Sequence, residues 1–487
     1  MKRILLYLFL FLFLTVTAKA VDALLLAVGA KDAELSKAAQ ESLKLFSGEE
    51  FDKKIIALLD HDNKTLRLAA LDVIAERQIA AASEKLKTLI PDRDRDIRQS
   101  VYMAYASAVA PTKENIEFLF RRLLASRQQF VRLPSEQMEP IEAELKTLRE
   151  AILTLCRRTD DRDNVADLFT GLQRPDLGGF FLDCLFQLSG EKAVAAIAKV
   201  AMEENDALHN KATELLGQWT TPEVASYLID IAENHPNERY RSRTFRGYLR
   251  VIRQMGLPVE QKIQMAEKAL SVAGAVNLTD ADKEQATQVL ERFRAMVKGK
   301  PVFDGKIFDG WEFRGNEEWF RIEDGAIVGG SLERPIPRNE FLVSKQEYGD
   351  FTLRMECKAI GEGCNGGIQF RSVRTPADSR NPNEMIGYQA DMTETANYWG
   401  AIYDESRRNR FIAEPPRELI ERIFRPNDWN EYEIVCKGNN VKIFLNGTLT
   451  VDYTETDENI PQRGFIGLQI HSGPPSETWY RNIRIEE

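Results

Sequence analysis

The chain has 487 residues, the length of about three typical domains, so a single compact domain is excluded. Hydrophobic residues make up 43% and charged residues 29% of the sequence, a composition that excludes a disordered chain and a multi-span membrane protein. Asp and Glu number 75 against 65 Lys and Arg, and the resulting net charge of −10 repels phosphate backbones, so we expect no nucleic-acid partner.

The first twenty residues have the pattern of a secretory signal. Lys2 and Arg3 precede an apolar run over residues 4–14, and the small-residue sequence Ala18-Lys19-Ala20 follows. This run is shorter than the ~20 residues that cross a bilayer. We therefore predict a signal peptide over residues 1–20, an exported protein that is periplasmic or secreted, and no membrane span after cleavage. An uncleaved membrane anchor is the alternative.

Residues 21–298 are predicted to form α-helical repeats. One apolar helical face has the spacing i, i+3, i+4, i+7, i+8 and consists of Leu66, Ala69, Ala70, Val73 and Ile74. The pair Leu66-Arg67 recurs 31 residues later as Ile97-Arg98. A period of about 30 without strand patterns indicates stacked helix pairs, and the segment resembles HEAT-type repeats. A protein partner on these repeats is a hypothesis that follows.

The architecture is predicted to change near Pro301. Of the 29 glycines, 18 lie after residue 300, and so do five of the six tryptophans. Glycine turns and aromatic strand residues are typical of a β-rich domain. We predict a linker at residues 299–302 and a β-sandwich over residues 303–487.

The cysteines do not form a disulfide scaffold, because the chain has only five of them. Cys357 and Cys436 each alternate with apolar strand residues, which leaves open a bridge between them. No Cys or His pair has the spacing of a structural zinc site.

The sequence of the C-terminal region predicts a series of short strands. Residues 351–358 alternate strictly between apolar and polar types, as in a strand with one buried face. A second run, residues 441–445, ends at Asn446-Gly447, which is a strong hairpin signal. These patterns predict an all-β, antiparallel sandwich of the jelly-roll class.

Three of these strands share an unusual polar face. Gln, Asp, Arg and His alternate with apolar residues in them, at Gln369, Arg371, Gln389, Asp391, Gln469 and His471. An ordinary solvated face carries Lys, Glu and Thr, whereas the residue types found here are suited to forming hydrogen bonds with the hydroxyl groups of a ligand. If the strands adjoin, they form a polar floor, and aromatic residues near it in sequence are predicted to line its rim for stacking on sugar rings: Tyr388, Tyr398, Trp399 and Tyr403. The alternative is that some of these side chains face bulk water.

A charged segment follows the second of these strands. Glu405, Arg407 and Arg408 are predicted to lie in a loop, where Glu405 and Arg407 are candidates for substrate binding. Solvated loop charges are the alternative interpretation.

Eight short motifs lie along the C-terminal region, at residues 308–311, 319–325, 348–351, 365–371, 387–389, 445–447, 468–471 and 481–483. Together they resemble the motifs of the 3-keto-disaccharide hydrolase domain family, over about residues 303–487. The resemblance implies a concanavalin-like jelly roll, export, and action on oligosaccharides or glycosides. Many members carry Glu after the Gly-Tyr pair and Gln two residues later, whereas this chain has Gln389 and Asp391.

A conventional glycosidase mechanism is disfavoured by the sequence. It needs two carboxylates, which jelly-roll glycosidases place on one strand as Glu-x-Asp-x-Glu, and this region has no such run. The resemblance implies a different chemistry, in which a ketone at C3 acidifies the C2 proton. One base can then remove this proton, the group at C1 leaves by elimination, and added water completes a net hydrolysis.

Several assignments fit this chemistry, and the sequence leaves them open. Asp391 or His471 is the candidate base, and Arg371 with Gln369 is the candidate stabiliser of the enolate. A divalent metal held by Asp391, His471 or Glu405 is a further alternative. No nucleotide-cofactor fingerprint is present. The other predicted substrate contacts are Tyr388, Gln389, Trp399, Tyr403, Glu405, Arg407 and Gln469.

Two other functions compete with an enzyme that cleaves 3-keto-glycosides. The same sandwich hosts lectin-like modules that bind glycans without turning them over. Alternatively, the helical repeats carry the function by binding a protein, and the sandwich tethers them to polysaccharide.

Overall fold

The computed structural model describes residues 18–30, 32–130, 138–170, 176–203, 208–276 and 278–487. The predicted signal peptide lies outside these residues except at 18–20, where the first helix begins. No helix within the described ranges combines the length and the apolar character that a bilayer span requires. The chain divides into two compact units, of which the first ends at Trp219 and the second extends from Thr220 to Glu487.

The predicted all-α architecture before residue 298 is confirmed. Helices in the first unit are α1 (Ala18–Val28), α2 (Ala33–Lys44), α3 (Glu49–Ala57), α4 (Lys64–Arg77), α5 (Ser83–Leu89), α6 (Arg95–Ala108), α7 (Lys113–Phe130), α8 (Met138–Arg158), α9 (Arg162–Thr170), α10 (Gly178–Leu188), α11 (Glu191–Met202) and α12 (His209–Gln218). The second unit opens with α13 (Val224–Asn234), α14 (Glu238–Gln254), α15 (Val259–Ala275) and α16 (Asp280–Met296).

The repeat seen in the sequence corresponds to equivalent helices. Helix α4 packs against α6, and α6 packs against α8. The recurring arginines make equivalent hydrogen bonds in both helices. Arg67 Nε donates to Leu59 O (3.1 Å), and Arg98 Nη1 donates to Asp92 O (2.8 Å). Each guanidinium thus satisfies a carbonyl in the segment before its own helix.

The predicted apolar face of α4 is buried. The residues concerned are Ala69, Ala70, Val73 and Ile74, with Leu66 half-buried. Asn63 begins this helix by accepting a hydrogen bond from Thr65 N (2.8 Å). Such a cap satisfies one of the first amides that the helix leaves unpaired.

The sandwich contains two antiparallel sheets. Its strands are β1 (Lys300–Pro301), β2 (Trp311–Glu312), β3 (Phe320–Glu323), β4 (Ala326–Ser331), β5 (Glu340–Ser344), β6 (Phe351–Ile360), β7 (Asn365–Arg374), β8 (Met385–Thr393), β9 (Ile402–Glu405), β10 (Phe411–Ala413), β11 (Asn430–Lys437), β12 (Asn440–Leu445), β13 (Thr448–Thr454), β14 (Phe465–Ile470) and β15 (Ser476–Glu486). A short helix, α17 (Arg417–Ile423), lies between β10 and β11.

The strand order defines a jelly-roll sandwich, as predicted. Sheet 1 has the order β13-β12-β11-β6-β15-β4-β3, with β1 also paired to β15. Sheet 2 has the order β10-β9-β8-β7-β14-β5-β2. Residues 299–302, predicted as a linker, include strand β1, so the last helix is joined to the sandwich through sheet pairing.

The core lies between the two sheets. Ile368 and Phe370 of β7 and Leu468 of β14 are fully buried there, together with Leu353 and Ile434 of sheet 1. Because strand side chains alternate between faces, burial of these residues directs Gln369 and Gln469 to the opposite face of sheet 2.

All five cysteines are free and buried. In the pairing of β6 with β11, Cys357 lies opposite Asn430 and Cys436 lies opposite Phe351. Six residues of strand therefore separate the two cysteines, or about 20 Å at the usual rise per residue. This is far beyond the Cα separation of a disulfide, so the bridge left open from the sequence is excluded.

Helices α15 and α16 pack onto the outer face of sheet 1 through a buried ion cluster. Lys262 Nζ lies 2.9 Å from Glu431 Oε1, and Arg425 Nη1 lies 3.2 Å from the same oxygen. Arg292 contacts the other carboxylate oxygen. These three cations hold the pKa of Glu431 well below its usual range although the carboxyl is buried.

Candidate functional site

The three strands with polar faces, β7, β8 and β14, are neighbours in sheet 2, which is the condition for the predicted polar floor. Strand β7 lies between β8 and β14 in sheet 2. Gln369 is directly opposite Gln389, while Asp391 and Gln469 both lie opposite Gly367. Directly opposed residues share a face of the sheet. We call Gln369, Gln389, Asp391, Gln469 and His471 the polar floor.

A chain of hydrogen bonds crosses the polar floor and ends at Asp391. Ser372 Oγ donates to Gln369 Oε1 (2.6 Å), Gln369 Nε2 donates to Gln389 Oε1 (2.9 Å), and Gln389 Nε2 donates to Asp391 Oδ1 (2.9 Å). Gly367 leaves space for this chain, because a Cβ there would lie 2.6 Å from Gln389 Cδ. The sequence of donors fixes the orientation of both amides.

Asp391 has a buried carboxyl group with a raised pKa. It is 5% exposed. Burial raises its pKa to about 7, the nearby Glu405 adds to the shift, and the hydrogen bond from Gln389 opposes it. Near neutral pH this group can therefore either donate or accept a proton.

Strand β9 adds a tyrosine and a second carboxyl group to the same face. Tyr403 lies opposite Gln389, and Glu405 lies opposite Gly387. Burial raises the pKa of Glu405, whereas His471 and Gln469 oppose the rise. The pKa of Tyr403 is also raised, by burial and then by the negative charges of Glu405 and Asp391. These mutual effects show that the acidic groups and His471 share one electrostatic environment.

His471 directly follows β14 and extends the backbone hydrogen bonds between β14 and β7 by one residue. Its amide donates to Asn365 O (3.0 Å), and its Nδ1 lies 2.7 Å from Ser472 O. A carbonyl oxygen can only accept, so Nδ1 carries the hydrogen and the neutral ring has its lone pair on Nε2. In this tautomer the His471 ring can accept a proton at Nε2.

Gln469 carries a side-chain amide that is buried without a hydrogen bond. It is 0% exposed, and neither Oε1 nor Nε2 meets hydrogen-bond geometry with any group that the structure describes. Its amide is close enough to Glu405 to lower the pKa of that carboxyl, but outside hydrogen-bond geometry. Buried polar atoms are almost always paired, so this amide is available to a hydrogen-bonding molecule at the polar floor.

Arg371 does not lie on the polar floor, which corrects its predicted catalytic role. A β-bulge follows Phe370, and Arg371 has a φ of 48°. The bulge turns the side chain away, so that its guanidinium donates to Gly349 O (2.8 Å), Gly438 O (2.6 Å) and Asp350 Oδ1 (2.9 Å). Arg371 therefore ties β7 to the loops of sheet 1.

Tyr388 and Trp399 belong to the core and not to a rim. Tyr388 alternates with Gln389, so it faces sheet 1 and donates its hydroxyl hydrogen to Glu455. Trp399 is fully buried, and its ring is stacked on that of Tyr432 with centroids 5.6 Å apart. Of the predicted rim residues, only Tyr398 and Tyr403 remain accessible.

Arg407 also lies off the polar floor. Its guanidinium bonds both oxygens of Asp404, at 2.9 and 3.1 Å, and covers the ring of Tyr388. Asp404 is fully buried and alternates with Glu405, so it faces away from the site. Arg408 joins this network by contacting Glu455 (2.6 Å). Of the charged segment, only Glu405 reaches the site.

Sequence reasoning missed Glu384 and Asn339. Asn339 Nδ2 donates to Glu384 Oε2 (3.4 Å), and Asn339 Oδ1 accepts from Ser472 N (3.1 Å), next to His471. Burial and the charge of Glu405 raise the pKa of Glu384 to about 7. Both residues precede strands, where no periodicity marks a side chain as functional.

The structure does not support the alternative of a bound divalent metal. Among the residues that the structure describes, no three His, Cys, Asp or Glu side chains are grouped so that they could hold one metal ion. We therefore derive no step through a metal held by Asp391, His471 or Glu405.

The comparison with known families agrees with the resemblance seen in the sequence. The family model of the 3-keto-alpha-glucoside-1,2-lyase-like domain matches residues 298–486. This match confirms the predicted resemblance of the C-terminal region to that family. The match begins at the end of the helices, whereas the compact unit that contains it begins at Thr220.

Solved structures with similarity to the chain include three of different kinds. A Parabacteroides distasonis ATCC 8503 protein, provisionally named a glycosyl hydrolase, is 21% identical over 39% of this chain and 93% of its own, with a TM-score of 0.30. The carbohydrate-binding module CBM66 from Bacillus subtilis is 16% identical over 37% and 96%, with a TM-score of 0.26. Human deoxyhypusine hydroxylase is 15% identical over 57% and 96%, with a TM-score of 0.22. No curated protein matches the chain.

Proposed function

We propose that the C-terminal unit cleaves 3-keto-glycosides, including 3-keto-disaccharides, by removing the C2 proton and expelling the group at C1. The observation that carries the proposal is the shared polar face of sheet 2. A proton acceptor at His471, a carboxyl group of near-neutral pKa at Asp391 and an unpaired amide at Gln469 lie on it together.

The base in this proposal is His471. Its Nδ1 hydrogen is held by Ser472 O, so Nε2 has the lone pair that takes the C2 proton. The electron pair of the C2–H bond forms the enolate and then the C1–C2 double bond as the C1–O bond breaks. The leaving oxygen keeps the electron pair of that bond and needs a proton.

Asp391 supplies that proton. Its raised pKa keeps much of the carboxyl protonated near neutral pH, which suits a general acid. Transfer of the proton from Asp391 to the leaving oxygen balances the uptake of the C2 proton by His471. Addition of water across the new double bond then gives the net hydrolysis product.

Gln469 stabilises the charge that develops on the C3 oxygen. Its Nε2 has two hydrogens, and neither is engaged in a hydrogen bond with a described group. A donor that is fixed in place before the reaction lowers the barrier because it needs no reorganisation. This role replaces the one predicted for Arg371.

Export and a scaffolding role complete the proposal. The pattern of residues 1–20 supports export to the periplasm or the medium, and the helices before residue 298 supply surfaces for a protein partner.

The test uses the full chain with a chromogenic 3-keto-glucoside and its unoxidised parent, each with and without a chelator. We expect release from the keto substrate alone, unchanged by the chelator. His471→Gln and Asp391→Asn should each lower kcat by about 10²- to 10⁴-fold, the usual contribution of an acid or base. The exposed His61 offers a matched control, because His61→Gln makes the same change in the first unit.

Other results would overturn the proposal. Release from the unoxidised parent would indicate a conventional glycosidase. Glycan binding without release from either compound, weakened in the Asp391→Asn and His471→Gln variants, would indicate the lectin-like alternative.

A further inference from the structure

Three aromatic side chains stand at one end of the polar floor. Strand pairing places Tyr403 opposite Gln389 and Phe411 opposite Tyr403, so both rings are on the face of the floor. Tyr398 is stacked on Phe411, with ring centroids 4.8 Å apart and an interplanar angle of 17°. Tyr403 meets Phe411 edge-on at 5.0 Å. We call Tyr398, Tyr403 and Phe411 the aromatic wall.

The outermost ring of the aromatic wall is held in an unfavourable backbone conformation. Tyr398 has a φ of 67°, a left-handed conformation that bulky residues rarely adopt. Its side chain is 47% exposed, so burial of the ring does not compensate for the strain. Strain of this kind persists where the surrounding structure imposes it, and it is concentrated at ligand-binding sites.

The residues next to Tyr398 impose that conformation. Trp399 is buried and donates from Nε1 to Thr393 O (2.8 Å). Gly400 N donates to the hydroxyl oxygen of Tyr432 (2.7 Å), and Ala401 N donates to Tyr398 O (3.1 Å). The turn is therefore anchored in the core on one side of Tyr398. The exposed ring is preorganised, which reduces the entropy lost when a ligand stacks on it.

The exposed apolar side chain of Leu449 lacks this setting. Leu449 is 43% exposed and lies on β13 in sheet 1. Single exposed residues of that kind are normal on a protein surface. Tyr398 differs because it extends a row of rings that leads directly to Gln389 and the carboxyl group of Asp391.

We infer that the aromatic wall binds the leaving group of the substrate by stacking, and that this leaving group contains a flat or pyranose ring. The inference rests on the proposed function, since it places the 3-keto sugar over the polar floor. The group at C1 then extends toward β9 and β10. The C–H face of a pyranose, or an aryl ring, matches the face of Tyr398, whereas an alkyl group such as methyl is too short to reach it.

The test compares leaving groups in the full chain. Methyl and 4-nitrophenyl 3-keto-glucosides of both anomers are the substrates, and kcat/KM is measured for each. Tyr398→Gly removes the ring while suiting the positive φ, so the variant is expected to fold. We expect it to lower kcat/KM about tenfold for the 4-nitrophenyl substrate and less than twofold for the methyl substrate. Tyr398→Phe keeps the ring and should match the wild type.

Two controls separate this inference from the proposed function. Leu449→Ala removes an exposed apolar side chain from the other sheet and should leave both substrates unaffected. If the wild type releases neither leaving group, binding of unoxidised 4-nitrophenyl glucoside is titrated instead, and weaker binding by Tyr398→Gly than by wild type supports the aromatic wall. Equal losses for both leaving groups, or no loss of turnover and binding in Tyr398→Gly, would overturn it.

Discussion

Lys262 Nζ lies 2.9 Å from Glu431 Oε1, and the two side chains are only 1% and 3% exposed. One residue belongs to helix α15 and the other to strand β11, so a buried ion pair fastens a helix to the sandwich. Two charges buried this deeply stabilise a fold only while both partners are present, because an unpaired buried charge is very costly.

Glu431→Gln should destabilise the second unit. The change leaves Lys262 buried without its carboxylate, and the expected loss is about 3–5 kcal/mol in the free energy of unfolding. Urea unfolding followed by tryptophan fluorescence measures it, since five of the six tryptophans lie after residue 300. The control is Glu233→Gln, which removes the exposed partner of Lys268 and should cost less than about 1 kcal/mol. Equal losses would show that burial of the pair is unimportant.

Asp391 should make stability depend on pH. Its folded pKa of about 7 exceeds the ordinary value of 3.8, so the folded state binds the extra proton and stability decreases as pH rises between these values. Asp391→Asn removes this penalty and should be more stable than wild type at pH 8, by on the order of 4 kcal/mol, with the difference shrinking toward pH 4. Unfolding at several pH values tests this, with the exposed Asp378→Asn as control.

Gln469 and Gln369 should respond oppositely to the same substitution. Gln469→Met removes an amide that has no hydrogen bond, so stability should be unchanged or higher by about 1–3 kcal/mol, while turnover decreases about 100-fold. Gln369→Met breaks hydrogen bonds with Gln389 and Ser372 and should lower stability instead. Thermal unfolding and kcat of both variants test this. A loss of stability in Gln469→Met would contradict a role in ligand binding.

Arg371→Met should act on stability and not on catalysis. The guanidinium makes three hydrogen bonds to Gly349, Gly438 and Asp350, and their loss leaves two carbonyls unpaired, at an expected cost of about 2–4 kcal/mol. At a temperature where the variant remains folded, kcat should stay within threefold of wild type. The control is the same substitution at an exposed position, Arg463→Met. A selective loss of kcat in Arg371→Met would support the catalytic role predicted for Arg371.

The sequence was most informative where strand periodicity is regular. Alternation in β7, β8 and β14 placed Gln369, Gln389, Asp391 and Gln469 on one face, and the strands are indeed neighbours. The same alternation assigns Tyr388 to the core, which the prediction of an aromatic rim overlooked. Periodicity fails at Arg371 because a bulge changes the direction of its side chain, and one sequence carries no signal for that bulge.

Long-range contacts explain the other differences. Glu384 and Asn339 meet across 45 residues of chain, and Arg407 is directed by the buried carboxylate of Asp404. Neither contact leaves a local pattern, because each depends on how loops fold back onto the sheet. Sequence proximity alone predicts Trp399 at the rim, whereas in the structure its ring packs against Tyr432 in the core.

Strand length at the borders of sheet 2 has a consequence for self-association. The sheet ends in β10, which has three residues, and in β2, which has two. Unpaired edges are the usual template for aggregation, and short edge strands offer few free amides and carbonyls to another copy. The sheet that carries the polar floor is thus protected against edge-to-edge polymerisation, so pairing of that kind between two copies would have to use sheet 1, whose edge strand β13 has seven residues.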